Sequence, residues 1–235
     1  MLTPYRYQDL GSANYGWLKA RHHFSFAHYY NPARMGFGKL RVVNDDWVEP
    51  GRGFDPHPHQ NMEIITYVRS GEIVHQDNTG NKGVTKAGEV QVMSAGHGII
   101  HSEYNLSKDP LTLYQIWIET KQNNVSPRWE SKTFPKHDAT SDLALLVSGD
   151  KRDKDALFIY QDAKIYGGNI QQQHTLNHNL IHQGYFLVSK GEVIVRDGND
   201  SVRLTQGDAC EIINCQQIQI EAIAPSEVLI IDVPA

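Results

Sequence analysis

The stretch TYVRSGEIVHQDN, Thr66–Asn78, contains two short β-prone runs on either side of the turn dipeptide Ser70-Gly71. β-Branched and aromatic residues lead both runs, and these residue types favour strands. A second stretch, YFLVSKGEVIVRDGN (Tyr185–Asn199), has the same pattern, with Gly191 in the place of Gly71. The sequence therefore predicts two copies of one β unit.

The repeat continues downstream, where KAGEVQVM matches TQGDACEI and Gly88 corresponds to Gly207. The offset between the copies is 120 residues at the first glycine pair and 119 at the second. Further strands are predicted at Lys39–Val43, Met62–Val68, Glu89–Ser94, Leu111–Glu119 and Glu227–Val233. Many short strands separated by turns are typical of a sandwich or barrel. Short helices are expected only near DLGSANYG (residues 9–16) and after Ser126.

The polar segment Lys121–Asp142 contains two prolines and is predicted to connect the two copies. We therefore place an N-terminal domain at residues 1–132 and a C-terminal domain at residues 133–235.

Composition limits the classes of function. The chain has 235 residues, 40% of them hydrophobic, and a formal charge of −5 without a basic run, so direct nucleic-acid binding is not expected. It has no secretory signal pattern at its start and no apolar run long enough for a membrane helix, which requires roughly 20 residues. Its two cysteines, Cys210 and Cys215, would lie on opposite faces of one unbroken strand. Reduced thiols and a cytoplasmic location are the expectation.

Two pairs of metal-ligating residue types stand out. His57 and His59 occur at i and i+2 in GFDPHPHQ, and His101 and Glu103 have the same spacing in GHGIIHSEYN. Alternate residues of a strand point to the same side, so each pair can share one face. Three imidazoles and one carboxylate suit one divalent transition metal: Fe, Cu, Ni, Co, Mn or Zn.

The second copy serves as an internal control for these four residues. At the repeat offsets, His57 and His59 become Asn177 and Asn179, while His101 and Glu103 become Ile220 and Ala222. The strand-and-turn pattern therefore persists without the ligand types, and the C-terminal domain is predicted to lack a metal site.

The spacing also resembles a family signature. The pattern G-x5-H-x-H-x3-E followed by G-x2-H-x3-N resembles the paired motifs of the cupin superfamily, here Gly51, His57, His59, Glu63, Gly98, His101 and Asn105. With HHFSFAHYYNP, LRVVNDDWV and LYQIWIE, the whole chain is similar to the pirins, a two-domain cupin family. This resemblance implies an all-β bicupin fold of two tandem jelly-roll barrels, with the metal in the first.

The resemblance also implies which carboxylate binds the metal. Pirins use the glutamate of HSE, which carries over to Glu103 as both metal ligand and catalytic residue. Many other cupins use the glutamate of the first motif, here Glu63. On an unbroken strand Glu63 lies about 13 Å beyond His59, so it is expected to be a neighbour of the ligands.

Bacterial pirins resemble quercetin 2,3-dioxygenases, and this implies a flavonol and O2 as substrates, opening of the central ring and release of carbon monoxide. A metal-containing protein that regulates a protein partner, as eukaryotic pirins are thought to do, is the alternative. A non-oxidative cupin enzyme such as an isomerase is a third hypothesis, and it would turn over without oxygen.

Other polar residues are expected to have structural roles. The histidines of RHHFSFAHYY are interpreted as core or interface groups, and His75 and His97 have no partner that the pattern identifies. A loop or solvated role is expected for His174, His178 and His182, and Asn44–Asp46 is interpreted as a turn.

Overall fold

The structure, a computed structural model, describes residues 1–134 and 138–235. The secondary structure of the described residues consists of one short 3₁₀ helix, Tyr7–Asp9, and β-strands. In chain order the strands are β1 (Leu2–Tyr5), β2 (Gly11–Asn14), β3 (Leu18–His22), β4 (Leu40–Val48), β5 (Gly53–His59), β6 (Met62–Ser70), β7 (Glu72–Asp77), β8 (Lys82–Lys86), β9 (Glu89–Ser94), β10 (Ile99–Tyr104), β11 (Leu111–Glu119), β12 (Arg128–Thr133), β13 (Ala144–Ser148), β14 (Leu157–Phe158), β15 (Lys164–Ile170), β16 (Thr175–Asn179), β17 (Gln183–Lys190), β18 (Glu192–Arg196), β19 (Ser201–Thr205), β20 (Ala209–Ile212), β21 (Gln217–Ala222) and β22 (Ser226–Val233).

The strands belong to two compact units. The N-terminal unit comprises Gly11–Phe134 and Gly149–Gln161. The C-terminal unit comprises Met1–Leu10, the described residues 138–148 and Asp162–Ala235. The first ten residues thus group with the C-terminal unit, because β1 pairs with β20 from Leu2↔Ile212 to Tyr5↔Ala209. The domain boundary at residue 132 stays a prediction of the sequence.

Each unit is a jelly-roll sandwich of two antiparallel sheets. In the N-terminal unit a seven-stranded sheet has the order β12-β9-β6-β11-β4-β3-β2, and a four-stranded sheet has the order β5-β10-β7-β8. The C-terminal unit orders its strands β1-β20-β17-β22-β15-β13 in one sheet and β16-β21-β18-β19 in the other. The four strands β9-β6-β11-β4 therefore correspond in order to β20-β17-β22-β15, and the smaller sheets correspond throughout. The all-β bicupin prediction is confirmed, although the described strands form stacked sheets rather than continuous closed barrels.

The interiors of the two units differ in polarity. One apolar cluster, which includes Phe186, Val195 and Ile220, fills the inside of the C-terminal unit. The N-terminal unit instead buries polar side chains on its inner strands: Asn44, Asp46, Thr66, His75, Gln91, His101 and Glu103. Buried polar groups require hydrogen-bond partners or a ligand. This difference marks the N-terminal unit as the one that carries a site.

Four of the five predicted strands have the observed bounds to within two residues, whereas Lys39–Val43 continues to Val48 in β4. Three other expectations are corrected. The segment after Ser126 is strand β12, not a helix, because it pairs with β9 from Arg128↔Ser94 to Thr133↔Glu89. Near DLGSANYG the chain forms the 3₁₀ helix and strand β2. The turn expected at Asn44–Asp46 is instead the buried middle of β4. Residues 135–137 of the predicted connection lie outside the described residues.

Cys210 and Cys215 are free, and Cys215 lies beyond the end of β20, so the two do not share one strand. No helix in the described parts of the chain is long and apolar enough to cross a membrane.

Gly191, the turn glycine of the second copy, lies where a side chain should lower the free energy of unfolding. Gly191 has φ +84°, and a Cβ there would overlap the carbonyl oxygen of Pro225. Gly198 has φ +89° with open space around it, so it is a matched control in the same unit. We expect Gly198→Ala to lower the free energy of unfolding by about 1–2 kcal/mol from the left-handed backbone alone, and Gly191→Ala to lower it by more. Urea unfolding of both variants measures this; equal losses would show that the close approach to Pro225 is unimportant.

Candidate metal centre

Three histidines meet on the inner face of the smaller N-terminal sheet. Strand β5 runs antiparallel to β10, with His57 opposite His101 and His59 opposite Ile99. Alternation places His57 and His59 on one face, as predicted from their i, i+2 spacing. The ring centroids lie 4.4 Å apart for His57–His101, 4.8 Å for His57–His59 and 5.0 Å for His59–His101. One nitrogen from each ring lies within 4.8 Å of the others.

Glu103 joins this cluster through His101. A register shift between His101 and Glu103 interrupts the pairing of β10 with β5. A carboxylate oxygen of Glu103 lies within 4.8 Å of ligand atoms of His101 and His75. The arrangement is therefore two overlapping groups that share His101. The three predicted histidines form one group, and Glu103 belongs to the second.

Two side-chain amides hold the Glu103 carboxylate. Gln91 Nε2 donates to its Oε1 at 2.5 Å, and Gln115 Nε2 donates to its Oε2 at 3.0 Å. Trp129 fixes the orientation of the Gln91 amide, because its Nε1–H can only donate and lies 3.3 Å from Gln91 Oε1. The hydroxyls of Thr85 and Thr66 donate to Gln91 Oε1 at 2.8 Å and to Gln115 Oε1 at 3.3 Å. Burial raises the pKa of Glu103 to about 7, against the opposing effect of these donors.

The free lone pairs of the cluster fit a metal ion. His101 Nε2 is buried and has no hydrogen-bond partner, an arrangement that costs free energy unless something binds there. His57 Nδ1 lies 2.7 Å from the carbonyl oxygen of Asp55. A carbonyl only accepts, so Nδ1 carries the proton and Nε2 of His57 has a lone pair for a ligand. Imidazole nitrogens with a carboxylate suit a divalent transition metal.

A cavity of about 230 Å³ opens onto this cluster. Its walls include the apolar side chains Phe26, Phe54, Ile64 and Trp117, and Trp117 packs edge-on to His59 at 4.9 Å. Polar groups also line it: His22, Asn44, Asp46, Glu103 and Gln115. Apolar walls with a few placed polar groups are typical of a small-molecule site.

Asp46 is an unusual member of the cavity wall. It is 4% exposed, and its Oδ1 has no hydrogen-bond partner. Burial, together with the neighbouring Asp45, raises the pKa of Asp46 to about 8. The protonated carboxyl is therefore the main form at neutral pH, and it can donate as well as accept a hydrogen bond. Nothing in the sequence pattern distinguished Asp46 from a turn residue.

Glu63, the alternative carboxylate, lies away from both groups. It is buried on β6, in the larger sheet, and its Oε2 accepts a hydrogen bond from Ser94 at 2.6 Å. Strand β5 ends at His59 and β6 begins at Met62, with Asn61 between them at φ +48°. The count along an unbroken strand therefore does not apply to Glu63.

Sequence reasoning missed His75, which is fully buried beside the cluster. It stacks on Trp129 with ring centroids 5.0 Å apart and 9° between the planes. Strand parity could have found it, because His75 lies on the same buried face of β7 as Ile73 and Asp77.

The histidines before β4 differ from one another in burial. His22 and His23 are buried, as expected, and His22 Nδ1 lies 2.8 Å from Asn44 Oδ1. His28, the third histidine of RHHFSFAHYY, is exposed, so a core role was wrong for it.

The alignment of the second copy with the first is one residue out at strand β16. On β16 the buried, inward-facing residues are Leu176 and His178, whereas Asn177 and Asn179 are exposed. The repeat offset had placed the two asparagines at the positions of His57 and His59. One imidazole, His178, therefore does lie inside the C-terminal unit, where a solvated role was expected. The inner face of β21 carries only Ile218, Ile220 and Ala222, and the groups found among the described residues that could hold a metal all lie in the N-terminal unit.

Two jelly-roll sandwiches of matching strand order, with a histidine cluster inside the first, define a two-domain cupin. Comparison with known proteins agrees, because residues 6–118 match the family model Pirin and residues 145–233 match the quercetinase C-terminal cupin domain. The chain belongs to the pirin family.

Individual relatives are similar over nearly the whole chain. A pirin-like protein of Caulobacter vibrioides is 48% identical over 234 residues, covering 99% of both chains. Quercetin 2,3-dioxygenase of Escherichia coli strain K12 is 44% identical over 229 residues, covering 96% of both. The crystal structure of the bacterial pirin YhhW from E. coli in complex with nickel(II) has a TM-score of 0.91 at 43% identity, covering 100% of this chain and 99% of that one.

Proposed function

We propose that this chain is a metal-dependent quercetin 2,3-dioxygenase, with a flavonol and O2 as its substrates and the cytoplasm as its location. The observation that carries the proposal is the unpartnered Nε2 of His101, inside a cluster of imidazoles at the end of an apolar-walled cavity. The relatives named quercetin 2,3-dioxygenase support the choice of substrate.

The residues that would hold one divalent ion are His57, His59, His101 and Glu103. When bound, such an ion lowers the pKa of a coordinated hydroxyl group. The crystal structure of the related YhhW in complex with nickel(II) supports nickel as one candidate among Fe, Cu, Ni, Co, Mn and Zn.

The chain's own side chains have distinct tasks in the proposed reaction. Glu103 would accept the proton of the flavonol 3-hydroxyl, and the burial that raises its pKa in the metal-free protein favours this role. Gln91 and Gln115 would keep its carboxylate in one orientation. Trp117 and Phe54 would pack against the flat aromatic rings and exclude water. Both atoms of O2 enter the product, two carbon–carbon bonds of the central ring break, and one carbon leaves as carbon monoxide.

Oxygen uptake with quercetin, on protein of known metal content, tests the proposal. We expect uptake that requires both quercetin and metal, with one carbon monoxide released per O2 consumed. Full metal occupancy without uptake would contradict it and favour the regulatory alternative, in which the chain acts on a protein partner. Conversion of a substrate under anaerobic conditions would instead indicate a non-oxidative cupin enzyme.

Asp46 provides a test of substrate binding. We expect Asp46→Leu to raise KM for quercetin by roughly 10-fold or more, because a hydrogen bond to a buried polar group is worth about 1–3 kcal/mol. Asp46→Asn keeps both a donor and an acceptor of the same shape and should stay close to wild type. Steady-state kinetics of both variants provide the measurement. An unchanged KM in Asp46→Leu would mean that the substrate does not contact this residue.

A further inference from the structure

A chain of hydrogen-bonding groups leads from the metal centre into the sheet. His101 Nδ1 lies 3.4 Å from His75 Nδ1, and His75 Nε2 lies 2.9 Å from Asp77 Oδ2. His75 is 0% exposed and held between these groups and the indole of Trp129. None of the ligands proposed above includes His75 or Asp77.

Asp77 can only accept hydrogen bonds. Although burial alone would raise its pKa, hydrogen bonds from His75, Thr79 and Asn81 hold the pKa of Asp77 well below its usual value. Thr79 donates its backbone N–H at 2.9 Å and its hydroxyl at 2.7 Å, and Asn81 donates its backbone N–H at 3.1 Å and its amide at 3.0 Å. The ionised carboxylate therefore receives the Nε2 proton of His75.

The direction of the hydrogen bond from His75 to Asp77 determines the direction of the one between His101 and His75. His75 is fully buried and stacked on Trp129, an environment that favours the neutral imidazole with its single proton. With that proton on Nε2, Nδ1 of His75 is an acceptor. The facing Nδ1 of His101 must then be the donor, and this leaves the lone pair of His101 on Nε2. That nitrogen is the buried one without a partner.

We infer that His75 is a positioning residue that, together with Asp77, selects the tautomer and ring orientation of His101 in which Nε2 faces the metal. The inference rests on the metal site proposed above. The carbonyl of Asp55 acts in the same way on His57, from the other strand of the pair. Such outer partners of a ligating histidine commonly change metal affinity by roughly 10–100-fold.

The C-terminal unit provides an internal comparison. Its strand β18 places the buried valines Val193 and Val195 opposite Ala222 and Ile220. The C-terminal unit therefore lacks imidazoles on β21, which corresponds to β10, and also on β18, which corresponds to the β7 strand that carries His75. A histidine is therefore not needed for packing at this place in the fold, which favours a role for His75 in the site.

Two substitutions separate the positioning role from packing. His75→Phe keeps a flat ring against Trp129 and removes both nitrogens. His75→Asn places an amide oxygen near the position of Nδ1 and so retains an acceptor for His101. We expect the affinity for Ni²⁺, measured by chelator competition, to fall roughly 10–100-fold in His75→Phe and to stay close to wild type in His75→Asn. His97→Phe, at an exposed position, is the control.

Long-range ¹H–¹⁵N spectra of the imidazoles in the metal-free protein provide the second readout. We expect a proton on Nε2 of His75 and on Nδ1 of His101 in wild type, and loss of the single His101 tautomer in His75→Phe. A wild-type His101 protonated on Nε2 would overturn the inference even if the variants fail to fold. Equal Ni²⁺ affinity in His75→Phe and wild type would do the same. Loss of one imidazole from the Ni²⁺ shell in both variants, by X-ray absorption, would instead make His75 a ligand. Neither readout uses quercetin or O2, so failure of the dioxygenase proposal would be seen separately.

Discussion

His101→Ala is expected to leave the protein folded, metal-poor and inactive. His101 belongs to both groups of ligand atoms, so its removal breaks the link between the histidines and Glu103. We expect metal affinity to fall by more than the roughly 10–100-fold loss that an outer partner causes. Metal analysis after dialysis and oxygen uptake with quercetin would measure the two consequences.

His97→Ala is the matched control for this experiment. His97 is an exposed histidine four residues before His101, and it lies outside the groups that could hold a metal. We expect its replacement to leave metal content and uptake unchanged. Retention of full metal content and uptake in His101→Ala would show that the cluster is not the metal site.

Glu103→Gln is expected to reduce turnover more than it reduces metal binding. The neutral amide keeps the shape of the side chain but is a weaker ligand and cannot act as the proton acceptor. Its own NH2 group would also face Gln91 or Gln115, so one donor loses its acceptor. We expect kcat to fall by about 10²–10⁴-fold, as for the loss of a general base. Steady-state kinetics of the fully metal-loaded variant would measure this.

Glu63→Gln is the control that distinguishes the two glutamates. Glu63 is as buried as Glu103, with 1% against 2% of its surface exposed, and it bonds to Ser94 rather than to the cluster. We expect both metal content and kcat to stay near wild type. If Glu63→Gln lost the metal and Glu103→Gln retained both metal and turnover, the ligand would be Glu63 and not Glu103.

Local pattern was sufficient for much of the fold and for three of the clustered residues. Strands such as Glu89–Ser94 and Leu111–Glu119 have the observed bounds, since β-branched residues and flanking turns mark them directly. The histidines of β5 share a face because parity along one strand is a local property.

The features that the sequence did not predict depend on strand register and on contacts between strands. Asn177 and Asn179 were compared with His57 and His59 at an offset that is one residue out, and a one-residue slip exchanges the faces of a strand. His75 reaches His101 only because β7 pairs with β10, and this pairing places His75 opposite Glu103. Asp46 resembled a turn residue because the burial of β4 comes from its neighbours β3 and β11.

Stepwise addition of metal to the metal-free protein, with quercetin and O2 present, tests whether turnover depends on the bound ion. We expect oxygen uptake and carbon monoxide release to rise together and to stop rising at one ion per chain, and we expect neither in His101→Ala. Uptake by metal-free protein, or no uptake after one ion is bound, would contradict the proposal of a metal-dependent dioxygenase.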